Sequence, residues 1–185
     1  MSDQVKTDLS LYSNKWYKPG NPFKRALWYF FNAAFFLNPF FPFSGIKKGM
    51  LRLFGAKVGK GVVIKPAVNI KYPWKLKIGD HVWIGEKVWI DNLDEVVIGS
   101  HCCLSQGALL LCGNHNYKKK TFDLIVSPIT LEQGAWVGAK AVVGPGSVLK
   151  SHAVLSAGSV CSGTLEAYSV YAGNPAQKIR ERKME

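Results

Sequence analysis

The chain contains no Cys-x-x-Cys pair among its four cysteines. Neither a disulfide framework nor a cysteine zinc site is therefore expected, and a reducing cytoplasm is the default compartment. Acidic residues are scarce, 12 against 24 Lys and Arg, which leaves a net charge of +12. That balance favours anionic partners such as phosphate-bearing ligands or acidic lipid surfaces. No RNA- or DNA-binding signature accompanies the charge. The basic residues are scattered, apart from Lys118-Lys119-Lys120 and the C-terminal tail, so nucleic acid is not an expected partner. No clean apolar run reaches the roughly twenty residues needed to span a bilayer. Residues 26–43, ALWYFFNAAFFLNPFFPF, come nearest and are interrupted by Asn32, Asn38, Pro39 and Pro42. Met1 to Ser10 are polar and mixed in charge, so no signal peptide is expected there. With 48% apolar and 19% charged residues the chain is a folded one.

What the chain does have is a period of six. From Leu131 to Cys161 an aliphatic or small apolar residue recurs at every sixth position: Leu131, Val137, Val143, Leu149, Leu155, Cys161. Four residues after each stands a companion: Ala135, Ala141, Ser147, Ala153, Ser159, Leu165. This is neither a helix period nor a strand alternation. It marks a solenoid in which each hexad is one short strand plus a corner, and in which stacking creates the core. Three earlier runs share the phase: Val58, Ile64, Ile70; Ile78, Ile84, Ile90; and Ile98, Leu104, Leu110. Their companions are Val62, Val68, Trp74; Val82, Val88, Asp94; and Cys102, Ala108, Asn114. These runs begin twenty residues apart, so each coil carries two extra residues at one corner. Glycines after lead residues, such as Gly138, let coils stack closely.

The aromatic N-terminal segment reads as a helix over about 23–37 ended by Asn38-Pro39, then a short helix over 46–54 ended by Gly55. These helices either cap the first coil and shield its open edges or adsorb to a membrane surface through aromatics flanked by Lys24, Arg25, Lys47, Lys48 and Arg52. The expected organisation is a helical capping segment at 1–55, a repeat domain at 56–176 with an excursion at 112–128, and a basic tail at 177–185.

The phase holds to Leu110 and resumes at Leu131, twenty-one residues later, where eighteen would continue the coil. A polar loop expelled from a rigid solenoid is where binding and catalytic groups are expected. His115 stands in it. An imidazole can take a proton from a sugar hydroxyl at neutral pH without being permanently charged. His81, His101 and His152 each lie three residues after a lead and read as solvated residues on outer coil faces.

The hexads, the excursion LCGNHNY, the segment AWVGAKAVVGPGSV and the ending YAGNPAQKIR resemble the hexapeptide-repeat acyltransferases. LRLFGAKVG (51–59), WIDNL (89–93) and LSQGALLLCGNH (104–115) are similar in order and spacing to the colanic acid biosynthesis acetyltransferase family, over about 16–182. The resemblance implies an all-β solenoid, a left-handed parallel β-helix, assembled as a homotrimer. It implies acetyl-CoA as acetyl donor, bound between subunits, a carbohydrate acceptor that is free or lipid-linked, and no metal. The left hand comes from the resemblance alone.

His115 matches the family's general base. Asn92 lies where relatives meet the acceptor sugar; its other role is to cap a coil corner through its amide. Ala139 matches a position whose backbone N–H lies near the thioester. Ala157, Ser162 and Gly163 match the pantetheine and nucleotide track, and Arg180 a basic residue near the CoA phosphates. Trp136 matches a family tryptophan or packs on the coil surface. Two departures stand out. Ser162-Gly163 replaces the common Thr-Lys, for which Lys178, Arg182 or Lys183 could substitute. Asn116 follows His115, which leaves the group that orients His115 unidentified.

The implied activity is direct O-acetyl transfer to a sugar hydroxyl in extracellular polysaccharide synthesis, in the cytoplasm or at the inner membrane surface. A non-catalytic scaffold and a γ-type zinc carbonic anhydrase are the alternatives. The latter needs about three converging His ligands. Trp74, Trp83 and Trp89 suit sugar stacking if exposed.

Overall fold

A computed structural model describes residues 5–185; Met1 to Gln4 of the polar start lie outside them. Two- and three-residue strands wind into three parallel sheets. The chain visits the first, second and third sheets in turn, so each circuit is one coil. Lead residues stack on lead residues. Ile78 pairs with Ile98, Ile98 with Leu131 and Leu131 with Leu149 in the first sheet. Ile84, Leu104, Val137 and Leu155 do the same in the second, and Ile90, Leu110, Val143 and Cys161 in the third. From Ile64 onward these leads are all buried and face one another across the coil axis. A single coil could not bury them, so their burial depends on the stack.

The two-residue surplus sits at the corner between third and first sheets, and it moves the inward position. Trp74 and Asp94, expected as inward companions, are not buried, and Leu76 and Val96 take that place; at the third such corner Asn114 is not buried either, and a longer insertion moves the inward position on to Ile129. The last coil is shortened at the same corner. Leu165, expected as a companion, pairs with Leu149 as a lead of the first sheet. The twenty-one-residue gap is not a coil with three residues added. Leu110 and Leu131 are successive leads, and the excursion is a single corner grown into an antiparallel hairpin, Gly113–His115 against Leu124–Val126.

His81, His101 and His152 are not on coil faces. They occupy the corner between first and second sheets at φ of 55°, 61° and 58°. His81 and His101 stack with ring centroids 5.3 Å apart, and His152 stacks on Tyr168 at 4.7 Å. Gly134 occupies the same corner at φ +71°, and a Cβ there would meet the His152 ring at 2.6 Å. The rings serve as stacked corner posts and do not converge as metal ligands.

Helix α1 (Pro22–Phe31) starts at Asn21, whose side chain accepts from Lys24 N–H, with Pro22 in the first turn. A π-helical turn, Asn32–Phe36, extends it, and α2 spans Ser44–Leu53. The first coil would otherwise leave its edge groups unpaired. The helices close that edge sheet by sheet. Arg52 donates to the Val58 and Gly59 carbonyls. Ser44 Oγ accepts from Ile64 N–H at 2.9 Å. Lys47, fully buried, donates to Lys65 O at 2.9 Å, and that burial lowers its pKa. Trp28 Nε1 donates to Ile70 O at 2.8 Å, while Asn32 Oδ1 accepts from Ile70 N–H. At the other end Ala176–Glu181 pairs antiparallel with Ser169–Gly173, so a strand occupies most of what was expected to be a tail.

Trp28→Phe removes the donor to Ile70 O and leaves that buried carbonyl unpaired. Urea denaturation should show a loss of about 1–3 kcal/mol. An unchanged midpoint would mean that the edge does not depend on this bond.

Candidate active site

His115 ends the first strand of the hairpin, half-buried. Its ring lies flat on Phe122, with centroids 4.4 Å apart and 6° between planes. Its Nδ1 is 2.9 Å from the Phe122 carbonyl oxygen. A carbonyl only accepts, so Nδ1 carries a proton, and in the neutral ring the lone pair is then on Nε2. This supplies the orienting group that the sequence did not reveal. Phe122 holds the arrangement at φ +50°, a region costly for a bulky side chain. Tyr12 packs 5.7 Å from the imidazole, and Asp8 N–H donates to Lys120 O at 2.9 Å. The N-terminal arm thus clamps the hairpin that carries the histidine.

The second structural feature is a groove of about 1020 Å³ on the outside of the second sheet. Its floor is the corner where coils expose little side chain: Gly138 and Ala139 in one coil, Ser156 and Ala157 in the next. Gly138 is required by close approach, since a Cβ would fall 2.5 Å from Ala157 N. Gly138 and Lys140 donate their N–H groups to Leu155 O and Gln106 O. Between them, Ala139 N–H donates to no backbone group among the described residues. It is a free donor at the groove floor. Trp136 forms one wall and donates through Nε1 to Ser105 Oγ at 2.9 Å. Arg180, Arg182 and Lys183 line the far side. Arg182 is engaged with the Gly134 and His152 carbonyls, and Lys178 is paired with Glu181. Among the described residues, Arg180 and Lys183 have no ion-pair partner.

The groove therefore gathers Ala139, Ala157 and Arg180. It does not gather Ser162 and Gly163, which are exposed at the next corner, between third and first sheets. One coil length of eighteen places Ala157 on Ala139 but places Ser162 on Gly144. His115 does not line the groove either. Its hairpin leaves the corner between third and first sheets, so one chain does not bring base and groove together. Asn92 is fully buried, with Oδ1 accepting from Tyr72 N–H at 2.9 Å and Nδ2 donating to Tyr72 O at 2.6 Å. Its amide is spent on a corner, and the capping role is the one the geometry fits. Trp83 and Trp89 are exposed, whereas Trp74 supports the N-terminal arm through Pro19 O and stacks on Tyr72.

Sequence reasoning missed Ser105 and Gln106, which line the groove. They follow Leu104 as Gly138 and Ala139 follow Val137, but the hairpin breaks the count of eighteen that would have linked them. Burial pushes the Cys102 and Cys112 thiols up to about 11. They stay protonated at neutral pH, and neither is an activated nucleophile.

No protein-family model matches the chain. The colanic acid biosynthesis acetyltransferase WcaF of Escherichia coli K12 is 39% identical over 176 residues, covering 95% of this chain and 97% of that one. The chain belongs to the colanic acid biosynthesis acetyltransferase family. A wider kinship extends to the galactoside O-acetyltransferase of Escherichia coli K12, 25% identical over 73% of this chain and 68% of that one. Among solved structures, a hexapeptide-repeat acetyltransferase of Vibrio cholerae in complex with acetyl coenzyme A superposes with a TM-score of 0.70. It is 22% identical, covering 76% of this chain and 78% of that one. The fold is thus the left-handed parallel β-helix of hexapeptide-repeat acetyltransferases, and this family member is an acetyltransferase.

Asn92→Leu should lower unfolding free energy by about 2–5 kcal/mol, because both Tyr72 backbone groups lose their partner. Coenzyme A affinity, measured by calorimetry on the folded variant, should be unchanged. A stable variant impaired only in acceptor KM would instead assign Asn92 to the acceptor.

Proposed function

We propose that this chain transfers the acetyl group of acetyl-CoA to a sugar hydroxyl in extracellular polysaccharide synthesis of the colanic acid type. The observation that carries the reading is the His115 imidazole, held by Phe122 O with Nε2 free. Nε2 removes the proton from the acceptor hydroxyl, and the oxygen attacks the thioester carbonyl. Ala139 N–H is the donor suited to the tetrahedral oxyanion. Collapse breaks the carbon–sulfur bond, and the imidazolium returns its proton to the departing thiolate. No covalent enzyme intermediate is required. Arg180 and Lys183 supply positive charge for the phosphates of CoA, which offsets the missing Thr-Lys pair.

The separation of His115 from the groove supports a homotrimer in which one subunit's hairpin serves its neighbour's groove. On this reading the protein acts on the cytoplasmic side, free or at the inner membrane surface, with a free or lipid-linked carbohydrate as acceptor.

His115→Ala should keep its thermal melt and lose a factor of about 10²–10⁴ in turnover. Near-parental turnover in that variant would remove the general-base assignment. Ala157→Trp should block the groove and also abolish turnover. Unfolding and co-refolding the two inactive variants at equal amounts should restore about a quarter of the parental sites by random assembly. Absence of any recovery, with mixed oligomers present, would place base and groove in the same subunit.

A further inference from the structure

The positive charge of this protein is not spread evenly. From Leu9 to Gly79 the chain has thirteen Lys and Arg and not one Asp or Glu; the rest of the chain holds eleven basic and twelve acidic residues. That acid-free stretch contains the helical cap and the first coil, so the net charge belongs to one end of the rod.

The same end exposes large apolar side chains that capping does not use. Trp28 and Phe36 of the α1 region, and Leu51 and Phe54 of the α2 region, are buried against the coil. Phe23, Leu27 and Phe30 lie at i, i+4 and i+7 on another side of α1 and are exposed, Phe23 at 77% and Phe30 at 67%. Ile46 and Leu53, seven apart on α2, are also exposed. The connection between the helices adds Phe40, 90% exposed, and Phe43. Arg25 of α1 and Arg52 of α2 are also exposed, Arg52 with its guanidinium bonded to the Val58 and Gly59 carbonyls. An assembly of exposed aromatics on this scale marks an interaction surface. Among the described residues no helix is long and apolar enough to cross a membrane.

We propose that the cap end docks onto an anionic lipid bilayer, with Phe23, Phe30, Phe40 and Leu53 entering the interface and the surrounding Lys and Arg facing acidic headgroups. The charge selects this occupant. Interfacial helices pair an apolar face with basic residues, and each base near an acidic leaflet adds to the attraction. A second copy meeting this surface face to face would oppose two acid-free, strongly cationic ends. The inference specifies the membrane-surface part of the function proposed above and does not depend on acetyl transfer.

The test is flotation of the full chain with vesicles of phosphatidylcholine alone or mixed with phosphatidylglycerol. The protein should float with the mixed vesicles at low salt, and not with the neutral ones or at high salt. The double variant Phe30→Ser, Phe40→Ser should bind the mixed vesicles about tenfold or more weakly, with unchanged thermal melt and oligomer mass. Equal binding to both vesicle types, or an unaltered affinity in the double variant, would overturn the proposal. So would a double variant that dissociates into monomers, which would make this face a subunit contact. Coenzyme A binding in vesicle-free buffer reports separately on the acetyl-transfer reading.

Discussion

The structure depends on keeping every coil in register with the next. Neighbouring strands lie about 4.8 Å apart, and before the C-terminal pair each is only two or three residues long. No strand holds itself. A slip of one residue would turn the lead side chains out of the core, so the corners must fix the stacking. They do so with minimal side chain. Gly138 has no room for a Cβ above Ala157 N, and the next residues in both coils are alanines. That economy also opens the groove. Where corner side chains are short, a backbone N–H such as that of Ala139 is left both unpaired and reachable. Stacking and ligand access rest on the same small residues.

A solenoid has ends as well as coils. At the N-terminal end the unpaired edge is closed by side chains of five residues, Trp28, Asn32, Ser44, Lys47 and Arg52, rather than by another strand. Burying a lysine to serve one carbonyl is unfavourable unless that carbonyl would otherwise go unpaired. Capping, however, needs only the inner side of each helix. It accounts for Trp28, Leu51 and Phe54 and leaves Phe23, Phe30 and Phe40 without a structural reason to be apolar.

The lead positions were legible because a residue buried in a stacked coil must be apolar at a fixed interval. Trp74 and Asp94 are not the inward companions because two extra corner residues carry no compositional mark, and the inward position moves on to Leu76 and Val96; the hairpin carries it from Asn114 to Ile129. Leu165 departs from the companion position for the opposite reason, a corner shortened by two. The break in phase marks the hairpin as an excursion, yet its length conceals that Ile98 and Leu131 are direct neighbours and that Ser105 and Gln106 belong to the groove. For Asn92 the two readings had equal standing in the sequence; burial and its two bonds to Tyr72 separate them. The partner of His115 had no sequence signature because it is a backbone carbonyl.

That carbonyl has its own cost. Phe122 sits at φ +50°, and a non-glycine residue there gives up about 1–2 kcal/mol. A hairpin with three-residue strands does not impose such a conformation alone. Phe122 N–H donates to Lys119 O and Asn116 N–H to Asp123 O within the hairpin, and the N-terminal arm adds outside support: Asp8 N–H binds Lys120 O, Tyr12 lies beside His115, and Tyr17 OH donates to Leu93 O. The arm then passes Trp74, which binds Pro19 O, and enters α1 at Pro22. One continuous segment therefore joins the base-bearing hairpin to the aromatic cap. The Nδ1 proton of His115 is held by Phe122 O, the hairpin that carries both is held by the arm at Lys120 and His115, and the arm runs on into the helices whose exposed side chains are basic and apolar.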